Sequence, residues 1–284
     1  AAEAGGCSAL YCDTQSRSFV LKRAMPDMPL PPFEQVVKEL TVPVALAAHG
    51  IKSDRLKFEE PSPELIELAN AMLGLWRSHE AEMKDYFEKC RAIVYPEGHL
   101  VRKGEVVRAI ESGLPLVPSN LVRMIELAES AGLLDRAGDT VRFNVSDALN
   151  NDRKTRELAQ IYKALEGGWF EVLTYDRMRT SGRFMDVRMN VESREQQSFG
   201  ENDVVAVDLK RLALTFVSCK NTDNYVQPLE HVFSIRQRAT EYGGSHAGVT
   251  LCIGKCSDPQ KRKMLQQACQ AVQAEFIEGE PHFS

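Results

Sequence analysis

The sequence lacks any apolar run near the ~20 residues that a bilayer-spanning helix needs, which argues against a membrane protein of that kind. It also lacks an excess of positive charge. With 35 Lys and Arg against 40 Asp and Glu, the net charge is −5, too acidic for a surface coated in phosphate contacts. Any nucleic acid would have to be gripped by a local basic cleft. No disulfide framework is evident, because the seven cysteines (7, 12, 90, 219, 252, 256 and 269) are odd in number and scattered. They read as reduced thiols in a cytoplasmic setting. Cys252 and Cys256 form a close pair, but no second His or Cys pair completes a zinc site. Histidine is scarce, and His99, His231, His246 and His282 show no ligand spacing, so they read as surface or packing residues. Internal repeats and low-complexity tracts are also missing.

What is present is 284 residues, 43% of them apolar, enough for two or three compact units. The chain opens at Ala1 without an initiator Met and shows no signal peptide; it reads as a piece of a longer protein. The most informative stretch is 200–220. Two apolar runs flank a polar turn at Asp208 to Arg211, with Glu201 and Asp203 opening the first and Ser218-Cys219-Lys220 closing the second. A hairpin of this kind brings its open ends side by side. An Asp and a Lys placed there, near a further acid, suit a hard divalent cation and a phosphodiester. An ordinary hairpin with solvated end charges remains the alternative on these residues alone. Alternation places Cys219 on the opposite face from its neighbours, toward the core, and no His nearby points to a cysteine nucleophile.

Upstream, Leu158, Ile161, Tyr162 and Leu165 form a helical stripe that leads into Gly167-Gly168-Trp169-Phe170-Glu171. Downstream, a helix from Tyr225 to Tyr242 ends at Gly243-Gly244. A short strand from Val249 to Ile253 and an amphipathic helix from Asp258 to Phe276 follow. Arg177, Arg179, Arg183 and Arg188 either line a basic cleft or are solvated surface. In the middle of the chain, Ser62 caps a helix from Pro63 to Trp76. Helices over 103–110 and 119–131 then precede a hairpin from Gly132 to Phe143. That is a winged-helix pattern, with Leu121, Ile125, Leu127 and Leu133 packed inside. Its second helix carries Arg123 but also Glu126 and Glu129, a poor face for phosphates. It reads as a linker or dimerisation module rather than a DNA reader.

Residues 155–284 resemble the nuclease domain of the CARF-domain nucleases, ancillary effectors of type III CRISPR defence with a PD-(D/E)xK nuclease fold. That family has Gly-Gly-Trp-(Leu/Phe)-Glu, then Asn-Glu-(Ile/Leu)-Asp-Val, a hairpin, and Glu/Ser-Cys-Lys. The resemblance implies Glu171, Asp203 and Lys220 as catalytic residues, and Asp203, Glu171 and Glu201 as ligands of Mg2+ or Mn2+. Ser218, a possible accessory residue, stands where the (D/E)xK pattern has its second acid, so metal binding leans on the other three. The turn between Asp203 and Lys220 is also about two residues longer than the family's usual one. At the N-terminus, Leu10-Tyr-Cys-Asp-Thr14 and a segment ending at Gly50 resemble the tail of a CARF sensor. The family's messenger-gripping loop would precede residue 1, so messenger-binding residues stay unknown.

The expected architecture is α/β. It comprises a partial Rossmann-like CARF unit (1–60), a winged-helix-like linker (61–150) and a restriction-endonuclease-like mixed sheet with flanking helices (151–284). The implied function is metal-dependent hydrolysis of phosphodiester bonds in DNA or RNA. A homodimer activated by cyclic oligoadenylate would carry it out in antiviral defence, with no membrane partner. Two alternatives stand beside it: a decayed site that only binds nucleic acid, and a winged-helix regulator whose C-terminal domain dimerises.

Overall fold

The computed structural model describes residues 10–13, 18–21, 33–138, 140–193, 199–222 and 228–283. The turn at Gly5-Gly6, Thr14, the prolines at 26, 29, 31 and 32, and Tyr225 lie outside the described residues. A two-stranded antiparallel ribbon, β1 (Leu10–Asp13) and β2 (Ser18–Leu21), opens the chain. Helices α1 (Phe33–Glu39) and α2 (Val42–Ala47) follow, then the short strand β3 (Leu56–Glu59).

The longest element is α3 (Pro63–Val94). Ser62 caps it as its sequence suggests, its Oγ accepting from the Leu65 N–H at 3.2 Å, with Pro63 at the first helical position. The expected end at Trp76 is passed. His79 leaves helical geometry (φ −138°, ψ 37°), yet the helix resumes, because Met83, Tyr86, Phe87, Cys90 and Val94 continue the buried stripe. Short helices α4 (Val106–Glu111) and α5 (Val122–Ser130) precede an antiparallel hairpin, β4 (Leu134–Ala137) and β5 (Thr140–Phe143). Leu121, Ile125 and Leu127 are buried there, and Leu133 is half-buried. Arg123 on α5 is paired with Glu67 and Glu126, each at 3.2 Å.

The second half is built on a six-stranded mixed sheet of order β10-β9-β8-β7-β6-β3. Its helices are α6 (Asn151–Lys163), α7 (Trp169–Thr180), α8 (Pro228–Gly243) and α9 (Pro259–Ala271). Its strands, besides β3, are β6 (Phe184–Ser193), β7 (Asn202–Asp208), β8 (Ala213–Lys220), β9 (Gly248–Ile253) and β10 (Glu275–Glu278). The β3, β6, β7 and β8 neighbours run antiparallel, and β8-β9 and β9-β10 run parallel. On β7 the buried residues alternate: Val204 and Ala206 join the cluster under α3, α6 and α7, while Val205 and Val207 join the one under α2, α8 and α9. Both faces are covered, so the hairpin strands are apolar along nearly their whole length.

Three readings change. The sequence groups residues 42–59 with an N-terminal unit, but Val42 and Leu46 pack on the C-terminal sheet and β3 pairs with β6. The helix expected to run to Phe276 stops at Ala271. Gln273 takes a left-handed conformation (φ 56°), and Phe276 enters β10 beside Leu251. The four arginines between Glu171 and Asp203 form no basic cleft. Arg177 bonds Glu280 and Asn70, Arg179 bonds Asp176, Arg183 bonds the fully buried Asp208, and Arg188 bonds Glu60 and Asp186.

Gly254 ties the end of β9 to the end of β8. Its N–H donates to the Lys220 carbonyl at 2.8 Å, and a Cβ there would meet the Asn221 carbonyl oxygen at 2.7 Å. Backbone cannot yield as a flexible side chain can. Gly254→Ala should therefore cost about 1–3 kcal/mol, read as a lowered midpoint in urea unfolding.

Candidate active site

Antiparallel pairing of β7 with β8 brings the first residues of one strand to the last of the other. Asp203 meets three donors there. Its Oδ2 accepts from the Cys219 backbone N–H at 2.7 Å, from Ser218 Oγ at 3.2 Å and from Lys220 Nζ at 3.3 Å. Hydrogen bonds to an ionised carboxylate are among the stronger ones in proteins, so this oxygen is fixed in place. Cys219 turns the other way, into the core, where burial pushes its thiol well above the ordinary range.

Glu171 arrives from α7. Before that helix the backbone widens into one π turn, Ala164–Gly168, a feature often found at functional sites. A Cβ on Gly167 would lie 3.2 Å from Asn221 Nδ2, and that same amide donates to the Glu166 carbonyl at 2.9 Å. The small residue lets the π turn press against the end of β8, which sets Glu171 near Lys220. Trp169, 1% exposed, anchors the turn against Trp76 of α3, with ring centroids 6.2 Å apart.

Glu171 is itself 9% exposed. Burial first, and the Asp203 charge second, push its carboxyl up to about 7, against the opposing pull of Lys163 and Lys220. Glu201 stands at the rim instead: its carboxylate is half exposed and meets Lys163 Nζ at 3.5 Å. Among the described residues, no three His, Cys, Asp or Glu side chains gather as a ready metal cage. The expected set of Glu171, Glu201 and Asp203 thus resolves into a buried Glu171, a half-buried Asp203 whose charge acts on it, and Glu201 at the rim.

Two residues were missed from the sequence. Lys163 closes α6; burial acts to lower its pKa, but the carboxylates of Glu171, Glu201 and Asp203 outweigh that and hold it raised. Its position eight residues before Glu171 was the only hint. His231, read as a surface or packing residue, places Nε2 3.1 Å from Ser218 Oγ. Glu171, Lys163 and Lys220 open onto a cavity of about 370 Å³, walled on the far side by Trp76, Lys84 and Arg91 of α3.

Residues 159–237 match the Card1-like endonuclease domain family. The segment is similar to that family. It contains every residue of the site: Lys163, Glu171, Glu201, Asp203, Ser218, Lys220 and His231. No curated protein matches the chain. Among solved structures, protein VC1899 from Vibrio cholerae superposes with a TM-score of 0.57 at 14% identity, over 98% of this chain and 66% of that one. Can2 from Sulfobacillus thermosulfidooxidans, solved in complex with cyclic tetra-adenylate, gives 0.53 at 16% identity, over 98% and 68%. At such identities the likeness is one of fold, and this chain spans about two thirds of the length of either. The mixed α/β sheet with flanking helices is shared with both. Among the described residues no helix is long and apolar enough to cross a membrane.

The raised Glu171 carboxyl fixes the sign of a pH effect. Its folded pKa of about 7 exceeds its ordinary 4.5, so the folded state binds the extra proton between those values and stability falls as pH rises through that window. Glu171→Gln should therefore melt like wild type near pH 4 and be more stable at pH 8, by about 1–3 kcal/mol. Melting scans in EDTA across that range would show the divergence.

Proposed function

We propose that this protein is a divalent-metal-dependent nuclease that hydrolyses phosphodiester bonds in DNA or RNA. The observation that carries this reading is the meeting of Asp203, Ser218 and Lys220 at the open end of the β7–β8 hairpin, within a segment similar to the Card1-like endonuclease domain family. Asp203 and Glu171 would hold Mg2+ or Mn2+, which supplies a Lewis acid and a water of lowered pKa when bound. The protein's own groups do the rest. Lys220 places positive charge where negative charge grows on the phosphorus-bound oxygens. Lys163 neutralises the opposite side, at the rim with Glu201. Lys84 and Arg91 offer the cavity wall two cations for flanking phosphates, which suits a chain whose overall charge is negative.

Control belongs to the same proposal. Can2 was solved with cyclic tetra-adenylate bound. By analogy the full-length protein is a homodimer whose N-terminal CARF pair binds a cyclic oligoadenylate and shifts the nuclease pair toward an active arrangement. Residues 61–150 would act as the connecting, winged-helix-like module. With Arg123 neutralised by two glutamates, that module is poorly equipped to read DNA.

One observation favours a second reading. Ser218 leaves the site without the acid usual at that position, which suits a decayed domain that binds nucleic acid without cutting it. Cleavage assays on single-stranded DNA, supercoiled DNA and RNA decide between them, using full-length protein with Mn2+, with and without cyclic tetra-adenylate. The nuclease reading expects cleavage by wild type, a drop of at least about 100-fold in Lys220→Ala and Asp203→Asn, and native-like melting of Lys220→Ala. Intact substrates under every condition, with nucleic acid still bound, would leave the binding protein as the better account.

A further inference from the structure

Ser218 does not stand alone in the place of the missing acid. It is nearly buried, with its Oγ 3.2 Å from Asp203 Oδ2 and 3.1 Å from His231 Nε2. A serine hydroxyl has one proton to give and can accept twice. Two acceptor oxygens 3.2 Å apart with no proton between them repel, so the hydroxyl proton belongs on the line to the carboxylate. Ser218 can then only accept from the imidazole, and Nε2 must carry a hydrogen. Burial first, and the Lys220 charge second, hold the His231 pKa below its ordinary value, which agrees with a neutral ring.

We infer that His231 is a positioning residue of this site: its Nε2–H donates to Ser218 Oγ, which donates to Asp203 Oδ2, and the relay takes over the orienting part of the acid that position 218 lacks. The inference rests on the nuclease reading above. Its consequence is geometric. Oδ2 is held by three donors, while among the described residues no hydrogen bond reaches Oδ1. The carboxylate is locked with one oxygen engaged and the other left for a ligand. Helix α8 supplies the ring because it packs across β8, with Val232, the next residue, buried in that interface. A serine beside a purely apolar helix would be free to turn to another partner, and Asp203 would lose one of its three restraints.

Two measurements test this on the full chain. The first is the nitrogen-15 and proton spectrum of imidazole-labelled protein. The relay requires a neutral His231 protonated at Nε2; an Nδ1–H tautomer overturns it. The second is Mn2+ affinity by calorimetry in wild type, His231→Ala, His231→Gln, Ser218→Ala and the double alanine variant. Outer partners of metal ligands typically contribute 10–100-fold in affinity, so His231→Ala should weaken Mn2+ binding by about 10-fold. His231→Gln keeps an N–H donor and should recover most of that loss. The double variant should bind no worse than the weaker single one, since both changes cut one relay. Unchanged affinity in His231→Ala, no recovery in His231→Gln, or strictly additive losses would each overturn the inference. Absence of Mn2+ binding in wild type would count against the nuclease reading, while the tautomer would still decide the relay.

Discussion

The carboxylate of Asp203 holds the open end of the β7–β8 hairpin together, and the rest of the site depends on it. A hairpin is closed by its turn at one end, while its other end is free to fray. Here the far end is tied by the 2.7 Å bond from the Cys219 N–H of β8 to the Asp203 carboxylate of β7. That bond sets the rotation of Asp203, and with it the place of Ser218 and Lys220 on either side of Cys219. The neighbouring strand adds to the constraint, because the N–H of Gly254, just beyond β9, donates to the Lys220 carbonyl at 2.8 Å. The site is therefore built from backbone geometry first, with side chains added to a rigid frame.

The second constraint is the approach of α7. Its start is set by one π turn and by Trp169, a large ring wedged against Trp76 of α3. Through that contact, the central part of the chain reaches the chemistry. Beyond its break at His79, α3 forms the far wall of the cavity and is also tied to the C-terminal half by Lys255, which pairs with Glu80. A movement of α3 would thus act on the cavity width and, through Trp76 and Trp169, on the entry to α7.

The legible parts of the sequence were those written in local chemistry. The hairpin, the cap at Ser62 and the Gly-Gly-Trp entry each rest on neighbours within a few residues, and their positions follow from alternation, capping and close approach. The parts that escaped reading depend on distant partners. Strand β6 carries Asp186, Arg188 and Asn190 among its apolar residues, and their partners are one another, the Val42 N–H, and Glu59 and Glu60 far away in sequence, so the strand does not read as one. Strand β10 is four residues long and reads as helix continuation unless β9 is known to lie beside it. The arginines that suggested a phosphate cleft meet acids drawn from 60 to 280, a pairing that spacing cannot reveal. His231 escaped for the same reason: its partner lies 13 residues away on a different element.

The electrostatic balance of the site then explains how a chain of net charge −5 could hold a polyanion. Surface acids repel a nucleic acid only over roughly a Debye length, about 8 Å in physiological salt. Inside the cavity the near field decides. The four arginines near the site in sequence are held by structural carboxylates away from the cavity, whereas Lys84, Arg91, Lys163 and Lys220 line it, with Lys84 paired to Glu80, Lys163 to Glu201 and Lys220 to Asp203. Against them stand the acids, and the burial of Glu171 near neutrality removes part of one negative charge from that account. On the proposed function, a cation held by Glu171 and Asp203 would restore the charge on Glu171 and add its own, so the ion and the polyanion would favour each other's binding. A second carboxylate at 218 would strengthen the ion's hold but add one more negative charge beside the phosphate. Serine, oriented by its neighbours, keeps Asp203 in place without that repulsion.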